Sequence, residues 1–233
     1  MDRHPVSTAA KAGFESASVS TRYDRRACHF GNDYRSARYH SAASLQQRKN
    51  AVRQFYSGLK KAAFLDAGCG TGFYTSELTA DNTVIGVDVS TEMLRLCSLN
   101  GLVPVQGDLR HLPFVKDSFD EVLAAEVLQH FRWPEPILSE IVSVTRPGGQ
   151  IVVTSLNPHS FFHALYRPFG NYEDLFFHAP DKVVEFLQRA GCVEPKVFFL
   201  MYPFGLVWRQ PESRHWASFL GTSWVLSVKK QLV

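Results

Sequence analysis

The chain has 233 residues, 45% of them hydrophobic and 20% charged, which is the balance of an ordinary soluble globular protein with one sizeable core. No uncharged apolar run approaches the roughly eighteen residues of a membrane span, and Met1 to Lys11 carries a His, a Pro and polar residues where a signal peptide would be apolar; a cytoplasmic protein without membrane insertion is expected. The net charge of +3 is unevenly spread: residues 1–61 hold 12 Lys/Arg against 4 Asp/Glu, the remainder 13 against 18, so the N-terminal quarter is either a solvated basic face or a cover that attracts an anionic substrate.

The first forty residues, rich in Ser, Ala, Arg and Tyr with little apolar periodicity, predict a partly disordered start and an irregular approach segment. A helix follows over Ser41 to Tyr56, with Leu45, Val52 and Phe55 on one side. Residues 1–60 thus read as a helical lid segment and 61–233 as the main domain. From Ala62 short apolar runs alternate with helical patterns, the signature of a parallel sheet with crossover helices. The predicted strands are Ala62 to Leu65, Thr83 to Val87, Val103 to Gln106, Phe119 to Ala125, Gly149 to Ser155, Val197 to Met201 and Ser223 to Val228. The predicted helices between them are Gly72 to Thr79, Thr91 to Leu99, Pro136 to Val144 and Pro180 to Ala190. Arg146-Pro147-Gly148-Gly149 is a helix stop and tight turn.

The sharpest motif is Asp66-Ala67-Gly68-Cys69-Gly70-Thr71-Gly72, placed directly after an apolar run and before a helical pattern. A strand, a glycine-rich turn and a helix start in that order bring backbone N–H groups up to a ligand. The second strand closes at Asp88, 22 residues after Asp66, where an acidic side chain can accept both hydroxyls of a ribose. Cys28, Cys69, Cys97 and Cys192 stand far apart and form no C-x-x-C pair, so reduced, mostly buried thiols are expected and no metal site is.

These residues resemble the class I, S-adenosylmethionine-dependent methyltransferases over roughly Lys61 to Gly191, most closely the group that methylates small molecules and quinone precursors. The leading acid, and Phe73-Tyr74 where a dehydrogenase would show a third glycine, separate the motif from NAD-binding sequences. Gly107-Asp108-Leu109, Ser118-Phe119-Asp120 and Arg146-Pro147-Gly148-Gly149 are similar to further family elements and fall in the expected order. The resemblance implies a Rossmann-like three-layer α/β sandwich with a mostly parallel seven-stranded sheet, order 3-2-1-4-5-7-6, and helices on both faces. It also implies S-adenosylmethionine as cofactor and S-adenosylhomocysteine as product. Gly68, Gly70, Thr71 and Gly72 would contact the methionine part, Asp66 its ammonium, Asp88 with Val89 the ribose end, and Asp108 with Leu109 the adenine. Met93 would lie on the adenine or in the core, and the backbone of Ala125 would flank the methyl group.

Methyl transfer from a sulfonium is an in-line displacement of an already activated group, so the protein chiefly aligns the partners and excludes water. A hydroxyl or amine acceptor would gain from a general base near the ends of the fourth and fifth strands. His130, Glu126 and His159 are the candidates, each with a plain loop or packing role as its alternative. Phe161, Phe162, Leu165, Tyr166, Phe169, Tyr172, Phe176 and Phe177 form either a core lid or a cover over an apolar or aromatic acceptor, with Tyr23, Tyr34 and Tyr39 closing the other side. Two other readings compete with a small-molecule acceptor. One is a nucleic-acid methyltransferase; yet Ala125-Glu126-Val127-Leu128 stands where an Asp/Asn-Pro-Pro-aromatic motif would be, and no Pro-Cys nucleophile occurs. The other is a cofactor-binding partner without activity. The oligomeric state, monomer or homodimer, stays open.

Overall fold

Phe64, Leu65, Ala67, Val122, Leu123 and Ala124 are all buried, which is how strands covered on both faces by helices must read. In the computed structural model, which describes residues 8–36, 41–56, 58–166, 175–201, 206–209 and 218–232, these residues sit in one eight-stranded sheet. The strands are β1 (Ala63–Ala67), β2 (Thr83–Asp88), β3 (Val103–Gln106), β4 (Phe119–Ala125), β5 (Thr145–Leu156), β6 (Cys192–Met201), β7 (Leu206–Arg209) and β8 (Ser223–Lys230). Their order is β3-β2-β1-β4-β5-β8-β6-β7. Pairing is parallel from β3 to β5, and β8 enters antiparallel between β5 and β6. The seven expected strands and their order are present, and β7 is an edge strand that the sequence did not disclose.

The helices are α1 (Thr8–Phe30), α2 (Ala42–Arg53), α3 (Thr91–Leu99), α4 (Glu135–Val144), α5 (Phe161–Tyr166) and α6 (Pro180–Arg189). Alternate strand residues feed two cores. Leu65, Val122 and Ile151 pack with Ile137 of α4 and Val183 and Leu187 of α6. Phe64, Leu123 and Val152, each one residue further or back, pack with Val52 of α2 and Leu94 and Cys97 of α3. The period of two along each strand therefore produces the three layers. At the start of β5 the pairing with β4 skips from Thr145 to Gln150, so the Arg146–Gly149 turn is carried inside the strand as an irregularity.

Two sequence expectations are corrected. Residues 1–7, expected to be disordered, lie outside the described residues, while the stretch expected to be irregular before Ser41 holds the 23-residue helix α1. Its order comes from tertiary docking, because the Ser20 hydroxyl donates to Val89 O at 3.2 Å, and Asp24 accepts from the Ser90 hydroxyl at 2.6 Å and from Glu92 N at 3.1 Å. Local propensity carries no trace of such bonds. The helix expected over Gly72 to Thr79 is a run of turns with a single 3-10 turn, Ser76–Leu78. Phe73, Tyr74, Thr75 and Thr79 are aromatic or β-branched and lose side-chain freedom in a helix, and bonds such as Leu78 N to Thr75 O close one residue short of the α spacing.

Trp224, fully buried in β8, donates its indole N–H to His178 O at 3.0 Å and so anchors the antiparallel end of the sheet. Trp224→Ala is expected to lower unfolding free energy by about 3–5 kcal/mol, read as a fall in the urea midpoint. A loss below about 1 kcal/mol would mean that the site collapses around the missing ring.

Candidate functional site

The site begins where β1 ends. Gly68 turns the chain with φ +77°, and a Cβ there would stand 2.6 Å from Val127, so only glycine passes between the turn and the β4 loop. Gly68 N and Cys69 N both donate to Val87 O, at 2.8 and 3.0 Å, which ties the turn to the end of β2. The next residue of β2, Asp88, accepts from Gly70 N and from Ser90 N, each at 2.9 Å. Burial pushes the Asp88 carboxyl up, partly offset by those backbone hydrogen bonds.

Beside this turn lies a cavity that opens to solvent. Of the residues expected at a cofactor, Gly68, Gly70, Thr71, Asp88, Val89 and Met93 line it, and so do Leu109 and Ala125. Thr71 also buries a hydroxyl with no hydrogen-bond partner among the described residues, which suits a polar ligand group. Val19, Cys69, Phe73, Tyr74, Val127 and Phe131 complete the lining without having been singled out. For Val19 a signal existed: Val19, Tyr23 and Ala27 recur every fourth residue, one face of α1, but the surrounding Ser and Arg residues masked it.

Other expected residues stand back from the cavity. Asp66 is buried beneath the turn and accepts from the Thr75 hydroxyl at 2.6 Å. Gly72 lies below the turn, where a Cβ would meet Leu102 at 2.8 Å. Asp108 is not in the lining either; Arg110 grips both of its carboxylate oxygens, at 3.0 and 2.6 Å, and its backbone N–H bonds Oδ1. His159 is exposed in the turn after β5, its backbone N–H capping the Asn157 side chain.

Two of the three base candidates do reach the cavity. His130 meets the Tyr23 hydroxyl through Nε2 at 3.0 Å, the rings packing edge to face, so α1 closes onto the loop after β4. Glu126 sits at φ +56°, a strained conformation for its residue type, and pairs with Arg48 of α2 at 2.8 Å with both side chains nearly buried. His163 lies near this pair and contacts Phe177 edge to face; burial pushes its imidazole below the usual range. Phe161, Leu165 and Phe176 are exposed, while Phe162 and Phe177 are half-buried, and none of these five lines the cavity. Tyr34 stacks under Arg35 and is likewise absent from the lining. Tyr39, Phe169, Tyr172 and the Tyr166 side chain lie outside the described residues. Among the described residues no group of three or more His, Cys, Asp or Glu is arranged to hold a metal ion, and no helix is long and apolar enough to cross a membrane.

Residues 65–153 match a family model described as a methyltransferase domain. A malonyl-[acyl-carrier protein] O-methyltransferase of Herminiimonas arsenicoxydans is 34% identical over 166 residues, covering 67% of this chain and 62% of the relative, so the chain spans less than two thirds of that protein. Among solved structures, a Thermotoga maritima S-adenosylmethionine-dependent methyltransferase described as a possible histamine N-methyltransferase superposes with a TM-score of 0.67 at 21% identity, covering 80% of this chain and 89% of the other. The Haemonchus contortus phosphoethanolamine N-methyltransferase 2, in complex with S-adenosyl-L-methionine, gives 0.64 at 15% identity, covering 80% and 52%. At these identities the two structures speak for the fold.

The buried carboxyl under the turn makes stability depend on pH. Burial pushes Asp66 from the ordinary 3.8 to about 7, outweighing the Thr75 hydrogen bond, and nearby Asp88 adds to the rise. The folded protein therefore holds this proton more tightly than the unfolded chain, and stability falls as pH is raised from about 4 to about 7. Glu121, pushed to about 8 by burial, extends the fall. In urea titrations across that window, Asp66→Asn is expected to show a flatter decline than the wild type; an unchanged slope would remove Asp66 as its source.

Proposed function

We infer that this chain, a member of the class I S-adenosylmethionine-dependent methyltransferases, transfers a methyl group to a small-molecule acceptor at the cavity between the glycine turn and helix α1. The observation that carries the reading is the conjunction on one wall of an open glycine turn and the Asp88 carboxylate, oriented by two backbone N–H groups. These residues fit the cofactor. Asp88 would accept from ribose hydroxyls, the Thr71 hydroxyl and the Gly68 and Gly70 backbone would meet the amino-acid part, and Val89, Met93 and Leu109 supply apolar surface for adenine. Asp66 and Gly72 act from beneath by holding the turn, and Leu109 lines the cavity while its neighbour Asp108 is held by Arg110 outside the lining.

When bound, the cofactor supplies a methyl group on a sulfonium, already activated for displacement. The protein's part is alignment and exclusion of water. Val19 and Tyr23 of α1 line the mouth, so α1 serves as the lid; the aromatic segment around Phe161–Tyr166 stands apart from the cavity lining and has no part in the lid. His130, backed by the Tyr23 hydroxyl, is placed to take a proton from a hydroxyl or amine acceptor, and Arg48 holds Glu126 at the same end. His159 stands outside this arrangement. Oxygen methylation is favoured, because the similar Herminiimonas protein is named an O-methyltransferase acting on malonyl-[acyl-carrier protein]. We place the protein in the cytoplasm, without nucleic-acid or membrane partners.

Calorimetry should show binding of S-adenosylhomocysteine and not of NAD, and Asp88→Ala should weaken it by about 2–3 kcal/mol through lost charge-assisted hydrogen bonds. Single-turnover assays with methyl-labelled cofactor and a panel of acids, alcohols and amines then identify the acceptor class. Tight NAD binding with none of the homocysteine analogue, or an unchanged dissociation constant in folded Asp88→Ala, would overturn the reading.

A further inference from the structure

Cys69 and Cys97 are far apart in sequence but meet beneath the glycine turn, their sulfurs 3.5 Å apart. Cys69 belongs to the turn and Cys97 to α3, and both sulfurs rest on Gly86 of β2, where a Cβ would stand 2.8 Å from each. The two thiols share this space only because residue 86 has no side chain. Cys97 is fully buried, whereas Cys69, though buried, belongs to the turn that lines the cavity, so a small oxidant in the cavity stands nearer to Cys69 than to Cys97.

We propose that Cys69 and Cys97 form an oxidisable pair whose disulfide closes the cofactor site. With hydrogen peroxide as oxidant, the Cys69 sulfur attacks one peroxide oxygen, becomes a sulfenic acid and releases water. The Cys97 sulfur then displaces hydroxide from that sulfenic acid; with the thiol proton this leaves as a second water. Two thiols and one peroxide thus give one disulfide and two waters. Burial holds the Cys69 thiol protonated, so the first step is slower than at the exposed Cys28, while the second is favoured by a partner already in contact.

A disulfide requires the sulfurs at about 2.05 Å, so the pair must close by about 1.5 Å. The turn has little room for this. Gly68 N and Cys69 N are bound to Val87 O, Gly70 N is bound to Asp88, and Gly68 is wedged against Val127. Drawing Cys69 toward α3 pulls on the same backbone that presents Gly68, Gly70 and Asp88 to the cavity. The effect on cofactor binding rests on the function inferred above; the chemistry of the pair does not.

The test uses the full chain carrying Cys28→Ser, which removes the exposed thiol, with buried Cys192 as an internal control. After peroxide treatment and alkylation under denaturing conditions, peptide mapping is expected to find Cys69 linked to Cys97 and Cys192 alkylated. Affinity for S-adenosylhomocysteine should drop by about tenfold or more and return with dithiothreitol. Saturating S-adenosylhomocysteine should slow the cross-link, and Cys97→Ala, altered outside the cavity lining, should keep its affinity through the treatment. Absence of the linked peptide after peroxide exposure prolonged well beyond full oxidation of Cys28 in the wild type, or a linked protein of unchanged affinity, overturns the proposal. If the reduced protein fails to bind S-adenosylhomocysteine, the inferred function falls instead, and the peptide map still decides whether the pair forms.

Discussion

The carbonyl of Val87 accepts two hydrogen bonds, from Gly68 N and Cys69 N, and the rest of the site depends on that junction. It joins the end of β2 to the turn after β1, so the turn backbone and the Asp88 carboxylate that line the cavity share one rigid anchor. Asp88 adds its own bonds to Gly70 N and Ser90 N. Its orientation is set before any ligand arrives, and little ordering cost remains for binding.

The second constraint is the docking of α1 on α3. Asp24 supplies an acceptor for Glu92 N at the start of α3 and accepts from the Ser90 hydroxyl, which itself caps Met93 N. A negative side chain at a helix N-terminus is favoured by the exposed N–H groups and the helix dipole. The same contact brings Val19 and Tyr23 over the cavity. Capping and closing the mouth are thus one event, and the Tyr23–His130 contact extends it to the loop after β4.

The loop after β4 combines strain with a nearly buried ion pair. Glu126 keeps a positive φ that its residue type disfavours, and Arg48 from α2 meets its carboxylate. A buried pair adds little net stability, whereas leaving either charge alone would be costly. α2 and the end of β4 are therefore coupled, and both α1 and α2 meet the loop after β4 through polar contacts that hydrophobic patterning does not register.

Seven strands, the glycine turn and Asp88 were legible in the sequence, because short apolar runs and a glycine run at a strand end carry their structure locally; the strand order came from the family resemblance, since no local pattern encodes it. α3, α4 and α6 were likewise legible, each having a cap or proline at its start and an apolar face. What only the tertiary structure decided is whatever depends on a partner distant along the chain. α1 looked irregular because its order comes from Ser90 and Glu92, about 70 residues away. Asp108 faces Arg110 rather than the cavity, and His130 rather than His159 reaches the site, because side-chain direction is settled by neighbours. Cys69 and Cys97, separated by 28 positions, meet only because a parallel β1–β2 pair lays the turn beside α3 over a glycine. Periodicity records which face of an element is buried; it holds no information about which face of another element it meets.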